Sequence, residues 1–202
     1  MATAAAAVEK VELEHLPATH TVLLALYRNV ANAGFLQEQL LGRNADFEYA
    51  FVDAGTVVSR FQLLAAVHKA VAAEMAGAMR TPNVHSEIVV SLSSNNNISE
   101  AYRRYGVQPA TKDVAVVKVL ISREGAPSSL SPEDVEKHLQ THVQGESVPC
   151  SDEELATVTD WPKLRKYHKL NGLPWIEAIK DEQAKKKELE MLIVSAMAMR
   201  GT

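Results

Sequence analysis

The chain has 202 residues, 47% of them hydrophobic and 23% charged, with a formal net charge of −4. That length suits one globular domain with a real core. The mild acidity excludes a body that binds nucleic acid through a global excess of lysine and arginine, so any RNA contact must be local or shared with a partner.

Residues 1–8 read as a flexible alanine-rich tail, because Glu9, Glu12 and Glu14 end the apolar run far short of a signal core or membrane span. A lone cysteine, Cys150, cannot form an internal disulfide and fits a reducing compartment. A soluble, intracellular chain is the expectation.

Residues 22–27 are apolar throughout, the pattern of a strand covered on both faces. Residues 29–42 predict a short helix capped by Asn29 or Asn32, with Phe35, Leu36, Gln39 and Leu40 at helical spacing. Residues 47–52 are aromatic and β-branched and predict a strand closed by Asp53-Ala54-Gly55. The clearest helix covers 57–75, where Val57, Phe61, Leu64, His68, Val71 and Met75 step by four or three along one face. His68 within that stripe reads as a partly buried histidine with a satisfied ring.

Residues 88–92 read as a strand, ended by the polar run 93–97. A helix follows over 98–105, with Gly106 where a left-handed terminating residue is wanted. Residues 114–121 predict a further strand. Ser131-Pro132-Glu133-Asp134 is a strong helix start, with Val135, Leu139 and Val143 on the buried side. After Gly145 the signals weaken. Ser151 with Glu154 predicts a capped turn, and 162–170 a basic helical stretch broken by Asn171-Gly172 and Pro174. Residues 171–187, with their lysine-rich run, read as an exposed insertion, and an apolar helix runs from Leu189 to Met199. The order gives an α/β or α+β fold: a single domain over 1–202 with a central mixed or antiparallel sheet flanked by helices.

The chemistry-bearing signatures are few. There is no glycine-rich dinucleotide fingerprint, no phosphate-binding P-loop and no paired-cysteine metal motif. His138 and His142 are four apart on a helix, but Leu139 stands where the metalloprotease pattern needs Glu, and the flank of a buried face is the preferred reading. Cys150 has no base beside it in sequence and reads as structural. The expectation is no catalytic residue, no metal and no cofactor.

Three segments remain as candidates. Asn95, Asn96, Asn97 and Ser99 precede Glu100; Asn97 can cap the helix, yet three amides before free helix N–H groups also suit an oxyanion or unstacked bases. Lys163, Arg165 and Lys166 flank Tyr167, which suits an RNA backbone with stacking or simply a solvated helix face. Leu189, Leu192, Ile193, Ala196 and Met197 form a stripe that is either core or a surface docked on another protein.

The stretch from His85-Ser86-Glu87-Ile88 through Asn95-Asn96-Asn97-Ile98-Ser99-Glu100-Ala101 to Tyr105-Gly106-Val107 resembles the PRPK-binding protein family, the kinase-binding subunit of the KEOPS (EKC) complex. The likeness extends through residues 21–33, 61–71 and 164–170, about three quarters of the chain with the C-terminal Arg200-Gly201, which is similar to some fungal members. The resemblance implies a subunit without its own active site that binds the atypical kinase of the complex and supports threonylcarbamoyladenosine modification of tRNA, in cytoplasm and nucleus. It also implies a possible hold on the tRNA 3′ end and a link to telomere maintenance. On that basis the RNA-facing candidates are Arg80, Asn95, Asn96, Asn97, Ser99, Lys163, Arg165 and Lys166, and the kinase-facing ones Leu189, Leu192, Ile193, Ala196 and Met197. Relatives often carry several basic residues before the Ser-Glu pair, whereas here Arg80 stands alone. A stand-alone tRNA-binding module, or a small α/β enzyme with a phosphate-bearing ligand at the Ile98 helix start, are the alternatives.

Overall fold

The structure, a computed structural model, describes residues 8–122 and 130–200. The expected N-terminal tail lies outside the described residues except for Val8, as does Gly201.

The central strand is β2 (His20–Arg28), whose residues 22–27 are all buried, as a strand covered on both faces requires. It pairs antiparallel along its length with β4 (Val114–Ile121), from His20 opposite Ile121 to Tyr27 opposite Val114. Beyond β4 lies β3 (Ala50–Asp53), also antiparallel. The other edge of β2 is shared by two short strands: β1 (Glu9–Val11) against 22–24 and β5 (Glu146–Val148) against 26–28. Among the described residues the sheet is thus five-stranded, open and antiparallel.

Because side chains alternate across a strand, each strand feeds two cores. Leu23, Ala25 and Tyr27 join Phe51, Val114 and Val116 under α1 (Ala33–Leu41) and α5 (Pro132–His142). Val22, Leu24 and Leu26 join Ala50, Ala115 and Val117 on the opposite face. That face carries the larger helical layer: α2 (Arg60–Met75), α3 (Val84–Ser91), α4 (Ile98–Tyr105), α6 (Asp152–Val158), α7 (Trp161–Tyr167), α8 (Pro174–Glu177) and α9 (Glu182–Ala198). The result is a mixed α/β single domain, as expected.

The local signals explain most elements. α5 starts with a full capping box: Ser131 accepts from Asp134 N while the Asp134 carboxylate accepts from Ser131 N. Asn32 heads α1 without capping it. Its amide instead donates to His142 O at 2.8 Å and accepts from Gln144 N at 3.0 Å, tying α1 to the end of α5. Asn29 adopts a left-handed backbone with φ of 54° and lies outside the helix.

Several expectations are corrected. Residues 88–92 are not a strand: 88–91 belong to α3 and Leu92 caps its end, and the start of α3 is fixed by Asn83 accepting from Ser86 N at 2.8 Å. An apolar run buried on all sides has no exposed face to reveal a helical period. The expected strand over 47–52 is shorter, since a 3-10 turn covers Ala45–Phe47 before β3 begins. Gly106 is extended, with φ of −73°, and its need for glycine is spatial: a Cβ would meet Tyr102 O at 2.7 Å. The expected stripe on α2 is split: Val57 and Val71 are buried and Leu64 is half-buried, while Phe61, His68 and Met75 face solvent, and the buried face is completed by Gln62, Leu63, Ala66, Val67 and Ala70. Residues 171–187 are mostly exposed, and they hold α8, with Ile176 buried, and the first turns of α9.

Candidate functional site

The asparagine run forms a closed hydrogen-bonded turn between α3 and α4. Buried Ser93 accepts from Asn95 N through its hydroxyl at 3.2 Å, and Asn95 Oδ1 accepts from Asn97 N at 2.9 Å. Asn97 Oδ1 then caps α4 by accepting from Glu100 N at 3.0 Å. Glu100 does not complete a capping box. It accepts from Asn95 Nδ2 at 3.0 Å and pairs with Arg104. Asn96 Oδ1 accepts from Arg80 Nη1 at 2.8 Å, so Arg80 and the triple-asparagine run, separate in sequence, form one unit. Ser99 lies exposed on the first turn of α4.

Arg80 is itself placed by a buried carboxylate that the sequence reading quoted only as part of a motif. Glu87 is 4% exposed and accepts from Arg80 N at 3.0 Å, Thr81 N at 3.0 Å and Thr81 Oγ1 at 2.7 Å. A buried carboxylate is tolerated where several donors converge on it, as here. The available clue was an acid in the first turn of a helix, four residues after its Asn cap.

The basic segment lies at the other end of the same short helix. Arg104, in the last turn of α4, stacks 4.7 Å above the Tyr167 ring and donates to Tyr167 O at 3.2 Å. Tyr105 adds a 3.1 Å contact between its hydroxyl and His168 Nε2. An eight-residue helix is ~12 Å long, so the turn and α7 sit about that far apart on one rigid body. The α7 cations are not equally available. Lys163 donates to Asp53 Oδ2 at 2.6 Å; burial works against its charge, but the Asp53 carboxylate holds its pKa above the usual lysine value. Arg165 pairs with Glu177, which also binds Lys185 at 2.9 Å. Lys166 is exposed.

The α9 stripe divides. Leu189, Ile193 and Met197 are buried in the domain's own core, whereas Leu192 and Ala196 are half-buried. The first three are therefore core side chains of the folded chain and not a docking stripe on its surface. Exposed apolar side chains of this layer include Phe61 at 62% and Met75 at 54% on α2, Met191 at 58% on α9, Met199 at the end of α9 and Trp175 on α8. Helices α2 and α9 are joined by Gln62, 3.5 Å from the Met197 sulfur, and by Lys69, which donates to Met197 O at 2.7 Å and Arg200 O at 2.6 Å.

His138 and His142 lie 4.5 Å apart between centroids, tilted against each other and edge-on to Phe47, while His138 stacks on Tyr49 with its Nδ1 3.0 Å from Tyr49 OH. Among the described residues no group of three His, Cys, Asp or Glu is placed to hold a metal ion. Burial pushes the Cys150 thiol up to about 11. A cleft of about 310 Å³ lies beside His85, but the ring accepts from Val119 N at 3.0 Å, and burial pushes its pKa down to about 3. It is a neutral plug on the edge of β4 beyond the reach of β3.

The geometry defines a mixed α/β domain, with a pre-bonded polar turn and a helical layer showing apolar side chains. Comparison with known proteins gives the family. The sequence model described as "Kinase binding protein CGI-121" matches residues 27–201. Relatives named EKC/KEOPS complex subunit CGI121 include one from Gibberella zeae, 56% identical over 96% of this chain and 99% of its own. One from Neurospora crassa is 48% identical over 96% and 99%, and one from Aspergillus fumigatus 42% identical over 96% of both chains. The chain belongs to the CGI-121 kinase-binding protein family.

Proposed function

We propose that this chain is the kinase-binding subunit of a KEOPS complex, without a reaction centre of its own, and that it supports threonylcarbamoyladenosine modification of tRNA. The observation that carries this reading is the exposed apolar surface of the α2/α9 layer, where Phe61, Met75 and Met191 face outward in a chain of the kinase-binding family. Phe61, His68 and Met75 recur every seven residues, one stripe along α2. A solvated stripe of that kind suits the small lobe of the atypical kinase as its partner. The non-catalytic reading is supported by the thiol and imidazoles described above: Cys150 is buried and protonated, and His85 is neutral and engaged.

In the same reading the asparagine turn, with Arg80 and Ser99, meets the tRNA 3′ end, and Lys166 of α7 adds one phosphate contact. Lys163 and Arg165 are compensated by Asp53 and Glu177, which favours RNA contact shared with the complex over a stand-alone module. The telomere link of the family, and residence in both nucleus and cytoplasm, belong to this proposal. Among the described residues no helix is long and apolar enough to cross a membrane.

Purified chain and KEOPS kinase are expected to co-elute at micromolar concentration, and Phe61→Glu to abolish co-elution while leaving the circular dichroism spectrum unchanged. Absence of any complex with the wild-type chain would end the kinase reading. Titration with tRNA should give affinity that falls with salt and with removal of the 3′ end; indifference to the 3′ end would end the RNA part.

A further inference from the structure

We propose that Arg200 is a positioning residue for the asparagine turn, holding it in its ligand-receiving shape from behind; the relevance to RNA rests on the reading of the turn given above. Arg200 is 8% exposed, and its guanidinium donates to Val90 O and, at 3.4 Å, to Ser93 O. Those carbonyls end α3 and open the turn. Val90 O already accepts from Ser93 N at 3.1 Å, so the guanidinium adds a second, charged donor there and a further donor to Ser93 O. It is taken out of solvent to do so, and burial lowers its pKa. The planar fork reaches two carbonyls at once, which one ammonium cannot do with the same geometry.

The bonds continue in series into the turn. Ser93, whose carbonyl Arg200 holds, accepts from Asn95 N through its hydroxyl; Asn95 accepts from Asn97 N; Asn97 caps α4. Arg200 cannot drift, because Lys69 donates to its carbonyl at 2.6 Å. Glu87, one turn before Val90 on α3 and close enough to act on the Arg200 charge, fixes the backbone of Arg80, whose side chain holds Asn96. A buried cation and a buried anion thus both tie the turn to α3. A loop fixed in its bound shape loses less entropy on binding and so binds more tightly.

The test uses the full chain with Arg200→Met, Arg200→Lys and, as a control inside the turn, Asn96→Ala. Amide hydrogen exchange at Asn95 and Asn97 is expected to quicken about tenfold in Arg200→Met, with partial restoration in Arg200→Lys and no change in β2 or β4 amides. Deacylated tRNA with an intact 3′ end is expected to bind Arg200→Met about tenfold more weakly, with Arg200→Lys intermediate. Unchanged exchange at Asn95 and Asn97 overturns the proposal whatever the RNA does. Quickened exchange with undiminished tRNA affinity overturns it as well, since the turn's shape would then not matter to binding. Quickened exchange in a chain whose wild type binds no tRNA supports Arg200 as the positioning group and removes only the RNA reading of the turn. Should Arg200→Met fail to fold, Arg200→Lys carries both measurements with the same signs.

Discussion

Two helices of the same layer, α2 and α9, each carry an apolar stripe at regular helical spacing, and the fold turns them opposite ways. On α9 the stripe Leu189, Ile193 and Met197 is inside the core. On α2 the stripe through Phe61, His68 and Met75 is outside, and the buried face is built from Gln62, Leu63, Ala66, Val67, Ala70 and Val71. Helical spacing identifies a face; it does not say which side of the molecule that face takes. Small side chains decide here. Ala66 and Ala70 on the buried face let α2 lie close to α3, while α9 packs on α2 and the core through Leu189, Ile193 and Met197.

The sharpest way to break this contrast is a charge on each stripe. Ile193→Glu puts an unpaired carboxylate into the core and should cost about 3–5 kcal/mol, read as a large fall in the urea midpoint. Phe61→Glu, on an exposed stripe, should leave that midpoint within ~0.5 kcal/mol. Equal destabilisation by the two variants would refute the assignment of inner and outer faces.

Acid probes the inner side through its buried rings. His85 and His168 have pKa values pushed by burial to about 3 and about 4, below the ordinary 6.5. A folded value below the unfolded one means that native structure favours the neutral ring. This contribution is complete above pH ~6.5 and is lost as pH falls toward the folded values, by at most about 1.4 kcal/mol per unit for each ring. The carboxylates held low by caps and ion pairs, Asp134, Glu153 and Glu177, add their loss only in the more acidic carboxylate range. Urea midpoints should therefore already fall between about pH 6.5 and 5, and His168→Gln should flatten that limb. A flat midpoint over this window in the wild type would place both rings in solvent.

The outer stripe is probed by binding. Phe61→Ala and Met191→Ala should each weaken the kinase complex by about tenfold or more at unchanged stability, as anchors at the centre of an interface do. If both bind normally while a charge elsewhere on the domain abolishes the complex, the exposed side of α2 and α9 is not the kinase face.

The same contrast shows how much of the molecule was legible in the sequence. β2 and β4 stood out because each holds a long, nearly continuous apolar run, and α5 because Ser131, Pro132 and Asp134 form a start signal with one meaning. α3 was unreadable as a helix: Ile88, Val89, Val90 and Leu92 are all buried, so no polar residue marks a helical period. β1 and β5 are three residues each and pair only at an edge of β2, too short for alternation to register. For the candidate site, the asparagine run was visible as a motif. Its partners Arg80, Glu87 and Arg200 come from three separate segments, and only the fold brings them together. The neutralisation of Lys163 by Asp53 was equally hidden, since 110 positions separate the two.

The smallest effect concerns the joint between the two helices. Lys69 extends from α2 to donate to Met197 O and Arg200 O, serving the C-terminal carbonyls of α9, where a positive charge also meets the negative end of the helix dipole. Burial is the main reason its pKa lies below the usual lysine value, with the Arg200 and Arg80 cations adding to it. Lys69→Met keeps the aliphatic stem and removes the donors, so the loss should be about 1 kcal/mol, and Lys69→Arg should recover part of it. Set beside Ile193→Ala, expected to cost about 2–4 kcal/mol for a fully buried side chain, the ratio measures how α9 is held. A loss from Lys69→Met as large as that from Ile193→Ala would mean that α9 is fastened at its end as firmly as along its stripe.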